Sequence, residues 1–177
     1  MASPCGTWVL AFNGEIYNHL ELRAELLPHS AAWRGHSDTE TLLHSIATWG
    51  LEATLKKCVG MFALALWNTA EQTLYLARDR FGEKPLYLGF LKSSQRTLNG
   101  AFVFASELKA IQTLPGFSNS ICPQALGEYF RTLYVPGTQS IYKGIYKLGP
   151  GSVLAIKPNQ IAAAVLPPAT DYWNYAD

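Results

Sequence analysis

The apolar positions of this chain fall into two textures that meet near Gly60. In the first, residues 7–12 (TWVLAF) form a compact apolar run that predicts a buried strand. Asn13-Gly14-Glu15 follows and predicts a break. Residues 19–27 place Leu20, Ala24 and Leu27 on one face and Glu21, Arg23 and Glu25 mostly off it, which predicts a short amphipathic helix stopped by Pro28. Ser37 with Glu40 three residues on has the capping-box pattern. The helix it opens carries Leu42, Leu43, Ile46 and Trp49 at helical spacing and ends at Gly50. Residues 51–58 predict another short helix.

In the second texture, residues 61–67, 74–77, 86–91 and 101–105 are strand-like runs separated by polar turns. Asn99-Gly100 suits a hairpin turn, because both residues tolerate positive φ. One helix is expected from Ser106-Glu107 and another over 124–133. Tyr134-Val135-Pro136-Gly137 and Leu148-Gly149-Pro150-Gly151 mark turns. Residues 152–156 and 160–166 are expected to pair as a final hairpin. Helices and strands are grouped, not alternating, so the class is α+β.

Composition narrows the function classes. The 177 residues suit one domain. Apolar residues at 49% against 15% charged exclude a disordered chain. A net charge of +1 with no block of like charge argues against nucleic acid or an anionic membrane as partner. No apolar run approaches a membrane span, and the first residues lack a basic n-region and an apolar h-region. Three cysteines without a secretory signal fit a reducing cytoplasm, with Cys58 and Cys122 expected to be buried and structural. The four histidines have no ligand spacing with a cysteine, so no metal site is expected, and no Gly-rich phosphate loop occurs.

Three stretches bear on chemistry. Asn13-Gly14 reads as a tight turn or as an oxyanion hole, in which a side-chain amide and a backbone N–H converge on developing negative charge. Asp38 reads as an N-cap or first-turn acid, or as a carboxylate that binds a substrate ammonium. A cap position leaves its second oxygen free, so the two roles are compatible. The charged stretch from Arg78 to Tyr87 reads as a solvated loop between strands, and its chemistry alone assigns it no role.

Five pieces stand in fixed order: Phe12-Asn13-Gly14-Glu15-Ile16-Tyr17-Asn18, Ser37-Asp38-Thr39-Glu40, Gly60-Met61-Phe62-Ala63, Arg78-Asp79-Arg80-Phe81-Gly82-Glu83-Lys84-Pro85-Leu86-Tyr87 and Phe104-Ala105-Ser106-Glu107-Leu108-Lys109-Ala110. This ordered set resembles the glutaminase domain of glutamine-dependent asparagine synthetase, a class II glutamine amidotransferase. The resemblance implies a four-layer αββα sandwich of the N-terminal-nucleophile hydrolase type, here incomplete, over residues 1–166. Residues 167–177 would begin the linker to a synthetase domain. It implies that L-glutamine is hydrolysed to glutamate and ammonia. The ammonia then passes to that second domain, which activates aspartate with ATP and Mg2+; no cofactor is implied for this chain itself. By position, Asn13 matches the oxyanion-hole amide, Gly14 the backbone donor, Glu15 a glutamine-binding residue and Asp38 the carboxylate that holds the substrate's α-amino group. The glutaminase half of an enzyme making amino sugars or purine precursors is a neighbouring reading, which Asn-Gly-Glu-Ile-Tyr-Asn and the Arg78 stretch disfavour.

The family's nucleophile is a cysteine at the mature N-terminus whose own α-amine serves as base. Cys5-Gly6 invites that assignment and geometry rejects it. Eight residues separate Cys5 from Asn13. An extended stretch of that length spans about 25 Å, whereas an oxyanion donor must lie about 3 Å from the developing charge. The family's stretch between nucleophile and Asn-Gly-Glu, with its carboxylate-binding arginine, has no counterpart here, and neither has the synthetase's Ser-Gly-Gly-x-Asp-Ser loop. The expectation is therefore a fragment inactive on its own, with an open sheet edge prone to aggregation or self-association. The alternative is a non-catalytic module that binds glutamine or pairs with a synthetase-bearing relative.

Overall fold

The computed structural model describes residues 1–27, 33–91 and 100–176. In chain order the elements are β1 (Trp8–Ile16), α1 (His19–Leu26), α2 (Asp38–Trp49), α3 (Leu51–Lys57), β2 (Gly60–Asn68), β3 (Thr73–Arg78), β4 (Tyr87–Leu91), β5 (Ala101–Ala105), α4 (Leu108–Gln112), α5 (Pro123–Thr132), β6 (Ile145–Lys147), β7 (Ser152–Ile156), α6 (Pro158–Ala162) and β8 (Thr170–Asp171). They build two antiparallel sheets, one in the order β1-β2-β3-β7-β8 and one in the order β5-β4-β6.

Strand β2 shows why the layers stack as they do. Successive side chains point to opposite faces of a strand. Phe62, Leu64 and Leu66 enter a cluster with Leu22, Leu42, Ile46 and Leu55 of the first three helices. Ala63 and Ala65 face the other way and meet Leu86, Leu88 and Leu148, which belong to the second sheet and its flanks. The small alanines let the two sheets approach. On the far side of the second sheet, Leu91 and Ile145 pack with Ile111 and Leu108 of α4. Three apolar seams thus separate four layers, helix, sheet, sheet and helix, and the α+β expectation of an αββα sandwich holds.

The start of α2 is fixed locally. Ser37 is its N-cap and accepts a hydrogen bond from Glu40 N at 3.2 Å. The Glu40 carboxylate reaches the N–H groups of Arg34 and Gly35 at 2.7 and 2.9 Å instead of closing a reciprocal box. Burial opposes its ionisation, but those N–H groups outweigh it and hold the carboxyl below its usual range. Gly50, at φ 82°, ends the helix in a conformation that suits glycine.

Several expectations change. Helix α1 buries Leu22 and Leu26, while Leu20, Ala24 and Leu27 are exposed. The predicted hairpin of residues 152–156 with 160–166 does not form. Strand β7 pairs instead with β3 and β8, and α6 occupies part of the second segment. Residues 170–171 add β8 to the sheet, and Tyr172 beside them is buried, its hydroxyl donating to Arg78 O at 3.0 Å. Cys122 is only half-buried, at the N-cap of α5. Pro28 and Asn99 lie outside the described residues, so the helix stop and the hairpin turn placed there are not tested.

Candidate functional site

Asn13-Gly14-Glu15 is not a break. The segment continues β1, which pairs with β2 without interruption from Trp8 opposite Asn68 to Ile16 opposite Gly60. Gly14 is needed because the two backbones crowd there. A Cβ on it would lie 2.2 Å from Met61 O and 2.6 Å from Phe62 Cα.

Strand β1 is an outer strand of its sheet. Residues 1–3 fold back along part of its free edge, where Ser3 N donates to Trp8 O at 2.8 Å and Leu10 N to Met1 O at 2.7 Å. At the other end, Ile16 N donates outward to Asp38 Oδ2 at 3.0 Å. Antiparallel alternation then turns the N–H and C=O groups of Phe12 and Gly14 to the same free edge. No described residue pairs with them.

The Asn13 side chain lies on the face toward the second sheet. Its Nδ2 donates to Ser106 Oγ at 2.8 Å, across the gap between the sheets. Beside this bond is a cavity of about 220 Å³, lined mainly by Ala11, Ala63, Ala65, Leu86 and Phe104. A primary amide carries two hydrogens, so one N–H of Asn13 stays free for another acceptor.

Of the two helix-start positions read for Asp38, the structure has the first turn: Ser37 is the cap, and Asp38 is the first residue of α2. Its second oxygen is not free: Oδ1 accepts from Thr39 N at 2.6 Å and from Thr39 Oγ1 at 3.2 Å. Each carboxylate oxygen has two lone pairs, so acceptor capacity remains. Glu15 is exposed next to Gly14. Partial desolvation, and then the charges of Glu83, Glu15 and Asp79, push the Tyr17 phenol up from its ordinary value, so a group of acids surrounds this end of β1.

The charged stretch after β3 has a structural role that its sequence did not disclose. The buried Asp79 carboxylate accepts from the N–H groups of Phe62, Phe81, Glu83 and Lys84 at 2.9–3.2 Å. The Arg78 guanidinium donates to the carbonyls of Gly82, Lys84 and Leu148. One side chain gathers the loop's donors and the other its acceptors. Phe62 lies opposite Gly14, so the loop also braces the strand behind the site.

The cysteines lie elsewhere. Cys5 is in the turn that leads into the Trp8 end of β1, where Thr69 Oγ1 bonds the carbonyls of Gly6 and Thr7. Asn13 and Gly14 are near the opposite end of the same strand. A hydrogen bond from Ser3, then those from Thr7, lower the Cys5 thiol to about 7. Burial raises Cys58, at the end of α3, to about 12.

Taken together, the Gly14 backbone N–H and the Asp38 carboxylate lie along one open strand edge, and the Asn13 amide stands beside them on the face toward the second sheet. The two N–H groups suit a carbonyl oxygen gaining negative charge, and the carboxylate suits an ammonium. Among the described residues no helix is long and apolar enough to cross a membrane.

A family model for the glutamine amidotransferase domain matches residues 1–173. A putative glutamine-hydrolysing asparagine synthetase of Mycobacterium bovis is 39% identical over 162 residues, which are 89% of this chain and 24% of that protein. Glutamine-hydrolysing asparagine synthetase 1 of Bacillus subtilis is 38% identical over 153 residues, 86% of this chain and 23% of that protein. The chain thus spans about a quarter of the length of these curated relatives. Among solved structures, the glutamine phosphoribosylpyrophosphate amidotransferase of B. subtilis superposes with a TM-score of 0.62 at 19% identity, covering 98% of this chain and 31% of that one. That likeness establishes a shared fold.

Proposed function

The chain belongs to the glutamine amidotransferase domain family, and on that premise we propose that it is the glutamine-hydrolysing part of an asparagine synthetase. In that role its site holds L-glutamine for conversion to glutamate and ammonia. The ammonia would pass to an aspartate activated with ATP and Mg2+ in the synthetase part of the protein. No residue of this chain is assigned to ATP or Mg2+.

The observation that carries the reading is the spacing along β1. Asp38 holds the strand at Ile16, two residues beyond Gly14. Two strand residues span about 6.6 Å. The five bonds from the α-nitrogen of glutamine to its amide oxygen extend to about 6 Å. An α-ammonium at Asp38 therefore sets the amide oxygen near Gly14 N–H and the free N–H of Asn13. Attack by a thiolate on the amide carbon would move charge onto that oxygen, where both donors stabilise it, before ammonia departs. Glu15, exposed beside Gly14, is the further group for the polar end of the substrate.

None of the three cysteines fits the attacking role, and Cys122 caps α5, where it bonds Ile141 and Gln124 and no residue of β1. Cys5 sits at the far end of β1, and Cys58 is buried as a thiol. The thiolate must come from outside these 177 residues, so we expect the chain by itself to bind glutamine without hydrolysing it. The same observation favours a second reading, a glutamine-binding or partner-binding module with no turnover of its own. An ammonia-release assay on this chain and on Cys5→Ala tests the assignment. No turnover by either is expected. Release that disappears in Cys5→Ala would make Cys5 the nucleophile and overturn it.

A further inference from the structure

We infer that Ser106 is a positioning residue of the glutamine site, whose hydroxyl holds one amide hydrogen of Asn13 and so aims the other at the substrate's amide oxygen. The inference rests on the glutamine reading above and assigns a role to a residue that the reading leaves idle.

Three observations support it. First, Asn13 Nδ2 and Ser106 Oγ are 2.8 Å apart although 93 residues separate them in sequence, so the contact is made by the fold. Ser106 lies between β5 and α4, where the chain leaves the second sheet. Second, the terminal torsion of asparagine is broad and roughly two-fold, so the amide plane is not set by its own rotamer. A partner must set it, and the backbone of Asn13 is occupied with β2. Third, Asn13 and Ser106 are the polar side chains of an otherwise apolar cavity lining. Among the residues lining it, Ser106 is therefore the partner available to the Asn13 amide. With one hydrogen held by Ser106, the other is left for a further acceptor, one residue from Gly14. The distance between the two sheets at this point then governs the aim of the donor.

A paired titration tests this. The affinities of L-glutamine and of L-norvaline, which keeps the same three side-chain carbons but lacks the amide oxygen and nitrogen, are measured by calorimetry. The proteins are the unaltered chain, Ser106→Ala, Ser106→Thr, Asn13→Ala and the double alanine variant. Ser106→Ala should weaken glutamine by about three- to tenfold, the range of one net hydrogen bond, and leave norvaline unchanged. Ser106→Thr keeps the hydroxyl, and the cavity has room for its methyl, so it should restore most of the loss. In the Asn13→Ala background, Ser106→Ala should cost nothing further, because the two residues act as one unit. Equal losses for glutamine and norvaline, additive losses in the double variant, or no loss in Ser106→Ala would overturn the role of Ser106. If the unaltered chain does not prefer glutamine to norvaline, the glutamine reading itself fails and the role of Ser106 with it.

Discussion

Oδ2 of Asp38 accepts the backbone N–H of Ile16 at 3.0 Å, which fastens the first turn of α2 to the free edge of β1. One carboxylate therefore does two things: it satisfies a strand N–H and it supplies negative charge two residues from Gly14. The two can be separated by mutation. Asp38→Asn keeps an acceptor for Ile16 and loses the charge, so thermal stability should change little while glutamine affinity falls at least tenfold. Asp38→Ala loses both and should also lower stability by about 1–2 kcal/mol. Melting curves beside ligand titrations distinguish these outcomes.

Gly14 faces a backbone that cannot withdraw, since Met61 O and Phe62 Cα stand 2.2 and 2.6 Å from the place of a Cβ. Gly14→Ala must push β1 away from β2. We expect a loss of about 2–3 kcal/mol in urea unfolding, as for an overpacked core. Glutamine binding should fall as well, because the displaced N–H is the proposed donor.

The loop after β3 should behave as a structural unit. Asp79→Ala leaves buried N–H groups without an acceptor and should cost about 3–5 kcal/mol, read from the urea midpoint. Arg78→Met strips three carbonyls of their donor and should destabilise in the same direction. Because the loop bonds both N–H and C=O of Phe62, each variant should loosen the strand opposite Gly14.

Sequence and structure diverge for identifiable reasons. The runs that became β2, β3, β4 and β5, and the cap and stop of α2, were readable because apolar periodicity and capping are local signals. Asn13-Gly14 was misread as a break because a glycine demanded by a neighbouring backbone looks the same in sequence as one demanded by a turn. The exposed Leu20 and Leu27 of α1 misled the choice of buried face, which is set by where the helix docks. The hairpin expected over 152–166 failed because β3, far away in sequence, offered β7 a better partner. Asn13, Gly14, Glu15 and Asp38 were legible as candidates. Ser106 stands within the stretch from Phe104 to Ala110 but shows no role in sequence, since its partner lies 93 residues off. The work of Asp79 was hidden because its partners are backbone N–H groups, which carry no residue signature.

Alkaline pH should weaken the fold. Burial raises the Cys58 thiol from 9.0 to about 12, against a smaller opposing pull from Arg80. Below pH 9 the thiol keeps its proton in both folded and unfolded chains, and its contribution is fully present. Between pH 9 and 12 only the unfolded chain ionises, so stability falls as pH rises, by about 1–2 kcal/mol near pH 10.5. Tyr172, raised by burial first and then by the charge of Asp79, adds the same sign above its ordinary value of 10.0. Urea midpoints measured across pH 8 to 11 should decline, and the decline should be shallower in Cys58→Ala.

The most direct test is a two-dimensional amide NMR spectrum of the chain titrated with L-glutamine. The account predicts saturable shifts at the backbone N–H groups of Gly14 and Ile16 and at the side-chain amide of Asn13, with D-glutamine producing none. Absence of any saturable shift at millimolar glutamine would contradict it. So would shifts confined to another surface, such as the cavity of about 680 Å³ bordered by Tyr87, Tyr129 and Lys147.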